Sequence, residues 1–173
     1  PTTGIRLVVG NILRYLEREA MIEYHGDRLE ATGFGRRVSE LYIDPLTAVV
    51  IRDGLRRGSL DVTDFTWLHL ICHTSDMRPV LRPRRGDLEL VETYFEDHRD
   101  ELAVPVSEGE DYIEYEDFLG EVKTAMVLGA WIEEVSENDL LERFSVQPGD
   151  RYSAVSNAER LLYSAHELTA SLG

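Results

Sequence analysis

The 173-residue sequence carries 33 acidic side chains against 17 arginines and a single lysine, Lys123, for a formal net charge of −15, and 43% of it is hydrophobic. That balance excludes a disordered or collagen-like chain and leaves enough apolar material for a core in one domain or two small ones. No apolar run approaches the ~20 residues that cross a bilayer, and the N-terminus does not read as a signal peptide.

The lone cysteine, Cys72, excludes an internal disulfide, which suits a reducing cytoplasm. Abundant carboxylates hold water and ions while salt screens their repulsion, so the near absence of lysine and the acid excess together lead to the expectation of a high-salt cytoplasm. The charge is uneven along the chain. Residues 1–60 carry nine arginines and eight acids, whereas residues 61–173 carry nine basic groups and 25 acids. This asymmetry suggests a boundary near residue 60.

In chain order, Leu7, Val8, Ile12, Leu13, Leu16 and Met21 recur at roughly helical spacing and predict a helix over Ile5–Ile22. Ile22–Tyr24 and Arg28–Ala31 are short alternating runs around a His25-Gly26-Asp27 turn, which predicts a hairpin. Gly35–Ile43 reads as a short helix, and a further one starts at Pro45 beyond an Asp44 cap.

From Thr63 onward the pattern is helix upon helix: Thr63–Thr74, Gly86–Leu102, Tyr115–Val135, Ser136–Phe144 with Ser136 as cap, and Pro148–Leu172. The stretch from Ala103 to Glu116 reads as a solvated acidic loop. In the last helix, Asp150 is the expected cap and Ala154, Ala158, Leu161, Ala165 and Leu168 form one apolar stripe. The opposite face carries Ser153, Asn157, Arg160 and Ser164, which are small or polar and almost free of acids in an acidic chain.

No constellation of enzyme chemistry stands out in the chain. The sequence has no GxxxxGK[ST] phosphate loop, no dinucleotide fingerprint around Gly33–Gly35 and no GxSxG elbow. His69 and His73 lie four apart beside Cys72, as in part of a zinc site. Leu68, Leu70 and Ile71 make that setting core-like, and partly buried, hydrogen-bonded histidines are expected instead. The acids of Ser107–Phe118 lack EF-hand spacing. Trp67 and Trp131 sit among apolar neighbours and are expected to pack in the core.

Two arginine-rich regions suit an anionic partner: Arg78, Arg82, Arg84 and Arg85 within eight residues, and the pairs Arg36–Arg37 and Arg56–Arg57. Such clusters contact phosphates with an affinity that falls with salt. Carboxylates on neighbouring helices are the competing partners.

The hairpin followed by T-x-x-G-x-x-V-S-x-L-Y-I-D-P-L at Thr32–Leu46 resembles the region behind the motor of Hjm-type archaeal DNA helicases, Ski-two-like enzymes of superfamily two. The likeness continues in colinear order through "LHLICHTSDM", "FLGEVKTAMVLGAWIEE" and "PGDRYSAVSNAERLLYSAHEL", from about Asn11 to Leu172. The resemblance implies a mainly α fold. Residues 1–60 would be a winged helix lacking its first helix, with a small β-hairpin and linker helices, and residues 61–173 a helical ratchet bundle.

In that family two RecA-like domains hydrolyse ATP with Mg2+, and the bundle closes a channel around the translocating single strand. This chain has no ATPase motifs, so it resembles a fragment of a larger helicase, with no cofactor of its own expected. The implied partners are single-stranded or forked DNA and the motor domains of the same chain, in a monomer without membrane contact. Pro148–Leu172 resembles the ratchet helix, whose polar face lies along the strand. Family members place a basic residue and, seven positions later, an aromatic one there. The matching positions here are Ser153 and Arg160, so the pattern departs, with Arg151 and Tyr152 as nearby substitutes. The residues implied on nucleic acid are therefore Arg151, Tyr152, Ser153, Asn157, Arg160 and Ser164, with Arg78, Arg82, Arg84 and Arg85.

The alternative is a winged-helix transcription regulator or interaction module that dimerises through the bundle and reads duplex DNA with Ile5–Glu19. Arg6, Arg14 and Arg18 on that helix are offset by Glu17 and Glu19.

Overall fold

The computed structural model describes residues 2–57, 61–106 and 112–172. Among these it is mainly α with one small antiparallel hairpin, as the sequence predicts. The expected boundary near residue 60 falls on residues 58–60, outside the described residues.

The first helix, α1 (Thr2–Arg18), begins earlier and ends sooner than its apolar periodicity suggests. It stops because Ala20 enters the left-handed region at φ 58. Ala20 N–H then donates to Glu17 O at 3.0 Å and Met21 N–H to Leu16 O at 2.8 Å, the bond pair of a Schellman ending. The turn swings Met21 into the core while α1 itself buries no residue. Strands β1 (Ile22–His25) and β2 (Arg28–Ala31) pair in register Ile22↔Ala31 and Tyr24↔Leu29.

Helix α2 (Gly33–Glu40) is locked to this corner by Thr32. Its hydroxyl donates to Ala20 O at 2.7 Å and accepts from Gly35 N–H at 3.0 Å, capping the helix. Gly35 is required there, because a Cβ would lie 1.9 Å from Met21 O. Helix α3 (Pro45–Arg56) starts as predicted, with Asp44 accepting from Leu46 N–H at 2.7 Å.

The remaining helices are α4 (Asp64–Cys72), α5 (Leu88–Asp97), α6 (Tyr112–Ile132), α7 (Glu137–Phe144) and α8 (Pro148–Leu172). Helix α6 runs through the middle and packs on α4, α5, α7 and α8. Every residue from Phe118 to Leu128 is buried, so α6 is a core helix rather than an amphipathic one. Helix α8 lays its predicted stripe against α2, α3, α4 and α6. Its alanines allow close helix approach. Buried residues from Met21 to Leu168 form one continuous cluster.

Several expected boundaries shift. Helix α5 spans fewer residues than Gly86–Leu102, ending at Asp97 before a separate 3-10 turn over Arg99–Glu101. The acidic stretch is not solvated throughout. Ala103 and Val104 are buried, Tyr112–Glu116 is already helical, and residues 107–111 lie outside the described residues. Helix α8 begins at Pro148, with Arg151 N–H bonded to Gln147 O at 3.1 Å. Asp150 therefore sits inside the first turn rather than capping it. Trp67 packs partly against the core, but Trp131, near the end of α6, is 39% exposed.

Candidate nucleic-acid interface

Helix α8 is the long helix with one face free. From Tyr152 to Tyr163 the exposed positions are Tyr152, Ser153, Ser156, Glu159, Arg160 and Tyr163, a strip with a single acid. Tyr152 and Tyr163 are 75% and 60% exposed, so two aromatic rings stand in solvent on the same side as Arg160. Tyr163 is absent from the sequence expectation. Its signal was available: it lies outside the apolar stripe and three residues after Arg160, one turn along the same face.

Other expected members of the strip are placed differently. Ser164 is buried and bonds Arg160 O at 3.0 Å. It lies three residues after Leu161 and four before Leu168, which puts it at the edge of the packed stripe rather than on the open face. Asn157 is half-buried. Arg151 turns toward α7 and pairs with Glu137 at 2.5 Å. Arg160 remains on the strip, with Nη2 3.6 Å from Asp76 Oδ1. Both groups are partly exposed, so this contact holds the guanidinium only weakly. The other oxygen of Asp76 accepts from Asp44 N–H at 2.9 Å, which ties Arg160 to the start of α3. Arg37 reaches across from α2 to Glu167, occupying a half-buried acid of α8 near this face.

The second arginine cluster divides. Arg78 is drawn inward to Glu121 at 2.6 Å, and Arg82 pairs with Asp117 at 3.0 Å. Arg84 and Arg85 are exposed, and neither guanidinium has an ion-pair partner among the described residues. The structure brings this cluster and α8 together. An open groove of about 430 Å3 lies between them, with Arg82, Arg84 and Lys123 on one side and Asp150, Ser153 and Asn157 on the other. Of the second pairs, Arg37 is engaged as above, Arg36 reaches Ala31 O at 3.5 Å, and Arg56 and Arg57 are exposed.

The His69–Cys72–His73 cluster is structural. His73 Nδ1 lies 2.8 Å from Glu121, as expected of a hydrogen-bonded histidine. His69 differs from that expectation. It is fully buried, 3.6 Å from Glu121, and neither ring nitrogen has a hydrogen-bond partner among the described residues. Burial pushes its pKa down to about 4, against the raising influence of Glu121 and with a smaller lowering from His73. The Cys72 thiol is pushed up by burial and by Glu121, with Arg78 opposing, so it is held as an inert thiol. Among the described residues no group of three His, Cys, Asp or Glu side chains is arranged to hold a metal ion. No described helix is long and apolar enough to cross a membrane.

Comparison with known proteins matches residues 65–173 to the family described as archaeal helicase, domain 4. The chain is 40% identical over 171 residues to the ATP-dependent DNA helicase Hel308 of Methanocella arvoryzae, covering 96% of this chain and 23% of that protein. It is 34% identical over 165 residues to Hel308 of Pyrococcus horikoshii, covering 95% of this chain and 22% of that one. For Hel308 of Pyrococcus abyssi the identity is 35% over 157 residues, with 91% and 21% covered. The chain thus spans less than a quarter of the length of these curated relatives. It belongs to the archaeal helicase domain 4 family, within the Hel308-type helicases of superfamily two.

Proposed function

We propose that this chain is the accessory DNA-binding region of an ATP-dependent 3′–5′ DNA helicase that acts in replication-fork repair and recombination. Residues 1–60 serve as the winged helix, which packs on the RecA-like motor. Residues 61–173 serve as the bundle, whose helix α8 lines the single-strand path. ATP and Mg2+ belong to the motor, and no residue of this chain is assigned to them. The working form is a cytoplasmic monomer whose acidic surface is suited to high salt.

The observation that carries this reading is the exposed strip of α8. Two solvent-standing tyrosines, an arginine and small hydroxyls are what a sequence-tolerant single-strand contact uses: rings on which bases stack, and a cation for the backbone. The family's basic-then-aromatic spacing is not retained at Ser153 and Arg160. Arg160 with Tyr163 and Tyr152 offers the same two chemistries at other positions.

Fluorescence anisotropy of labelled single-stranded and duplex oligonucleotides, titrated in a KCl series, tests the reading. Preference for the single strand, weakened by Arg160→Ala and by Tyr163→Ala, is the expected result. Preference for duplex that neither change affects would favour the winged-helix regulator.

A further inference from the structure

The segment from Pro79 to Arg84 has no regular secondary structure, yet its backbone is held at successive points. Leu81 N–H donates to Thr124 Oγ1 at 2.9 Å, Lys123 Nζ donates to Arg82 O at 3.1 Å, and Arg84 N–H donates to Asp87 Oδ1 at 2.6 Å. Lys123 and Asp87 are both buried, with Nζ 2.5 Å from Oδ2. The chain's single lysine is thus spent inside the protein. Val80 seats the segment on α6 so closely that a Cβ on Gly120 would come within 2.7 Å of Val80 Cγ2.

This anchoring fixes the backbone that bears Arg82 and Arg84 at the rim of the groove, facing Ser153 and Asn157 of α8. Lys123 is matched by Asp87, so the remaining charges of the lining are two guanidinium groups against the carboxylate of Asp150. Arg82 is shared with Asp117, but Arg84 is uncommitted among the described residues. A groove with one uncommitted guanidinium on its rim and a hydroxyl and an amide opposite suits one oxyanion. A guanidinium can grip two oxygens of a phosphate, and the neutral donors can take the others.

We infer that this groove is a phosphodiester subsite that takes one backbone phosphate of the single strand lying along α8. Arg84 is the charged contact, and Ser153 and Asn157 are the hydrogen-bonding ones. The buried Lys123–Asp87 pair is a positioning pair that acts through the Arg82–Arg84 backbone. The inference rests on the reading of α8 given above.

The test is anisotropy of labelled oligodeoxythymidylate across a KCl series, using the 173-residue chain unsubstituted and as Arg84→Ala, Arg160→Ala and Lys123→Met. Arg84→Ala is expected to weaken binding about five- to tenfold and to lower the slope of log affinity against log salt by about one. Lys123→Met is expected to give the same loss, and adding it to Arg84→Ala should cost nothing further, since both act on one contact. A lysine with a merely structural role would give additive losses, and that result removes the positioning role. Circular dichroism melting reports whether Lys123→Met folds. If it does not, Thr124→Val takes its place, removing the anchor of Leu81 together with the hydroxyl's bond to Gly120 O within α6. Unchanged affinity and slope in Arg84→Ala, with weakened binding in Arg160→Ala, overturns the subsite and leaves the role of α8 standing. Absence of binding by the unsubstituted chain overturns both.

Discussion

Helices α6 and α8 are the two longest in the protein and pack on each other, yet they are built on opposite plans. Helix α6 buries eleven consecutive residues, including Glu121, Lys123 and Thr124. Each of these polar groups has partners from another element: Arg78 and His73 for Glu121, Asp87 for Lys123, and Leu81 N–H for Thr124. Helix α8 buries one stripe and leaves the other face to solvent. One helix therefore sets positions and the other presents contacts. The same kind of substitution should do opposite things on the two.

The largest contrast is expected between a buried ion pair on α6 and an exposed ring on α8. Lys123→Met would leave Asp87 buried and unmatched, and removing one partner of such a pair costs about 3–5 kcal/mol. On α8, Tyr163→Ala should change stability by no more than about 0.5 kcal/mol while weakening single-strand binding. Chemical denaturation at constant KCl compares the two, and equal stability losses would break the distinction.

A second contrast concerns pH. His69 takes up a proton near 6.5 when unfolded but resists protonation to about 4 when folded. Its contribution is therefore fully present above pH 6.5 and is lost as the pH falls toward 4. The expected loss is about 2 kcal/mol by pH 5 and about 3 kcal/mol in all. Denaturation midpoints of the unsubstituted protein and of His69→Leu between pH 7 and 5 isolate it. The variant should show the shallower dependence.

Packing gives a third. Ala158→Leu pushes a larger side chain into the stripe of α8 and should cost about 1–3 kcal/mol, whereas Ser156→Ala on the exposed face should be nearly silent. A small gain in stability is expected elsewhere, at the end of α1. Ala20 sits at φ 58, where glycine is at ease, and Ala20→Gly should raise stability by up to about 1 kcal/mol in the same assay.

The contrast also explains what could be read in the sequence. Helix α8 was legible because one-sided burial writes a period into the chain, and Ala154, Ala158, Leu161, Ala165 and Leu168 all face inward. Helix α6 is also expected, over Tyr115–Val135, but a helix buried all round has no period to show which side faces which neighbour. Ser164 was misplaced because serine is small enough to sit at the edge of a packed stripe, with its hydroxyl satisfied by its own helix.

The end of α1 was missed because Met21 continues the apolar spacing and reaches the core through a turn instead. The groove could not be read at all. Lys123 and Asp87 meet only through tertiary packing, and nothing local distinguishes Arg84, whose guanidinium has no ion-pair partner among the described residues, from Arg78, which is drawn to Glu121.

The most direct test of the central claim uses the inert cysteine. Cys72 is buried with its thiol pushed up, so a thiol placed on the surface can be labelled alone. An environment-sensitive dye is attached at Ser156→Cys on α8 and, separately, at Glu142→Cys on the exposed side of α7. Oligodeoxythymidylate is then added to each. The α8 dye should respond, saturating with the binding measured by anisotropy, and the α7 dye should stay silent. A silent α8 dye under conditions where the oligonucleotide is bound would contradict the placement of the strand along α8.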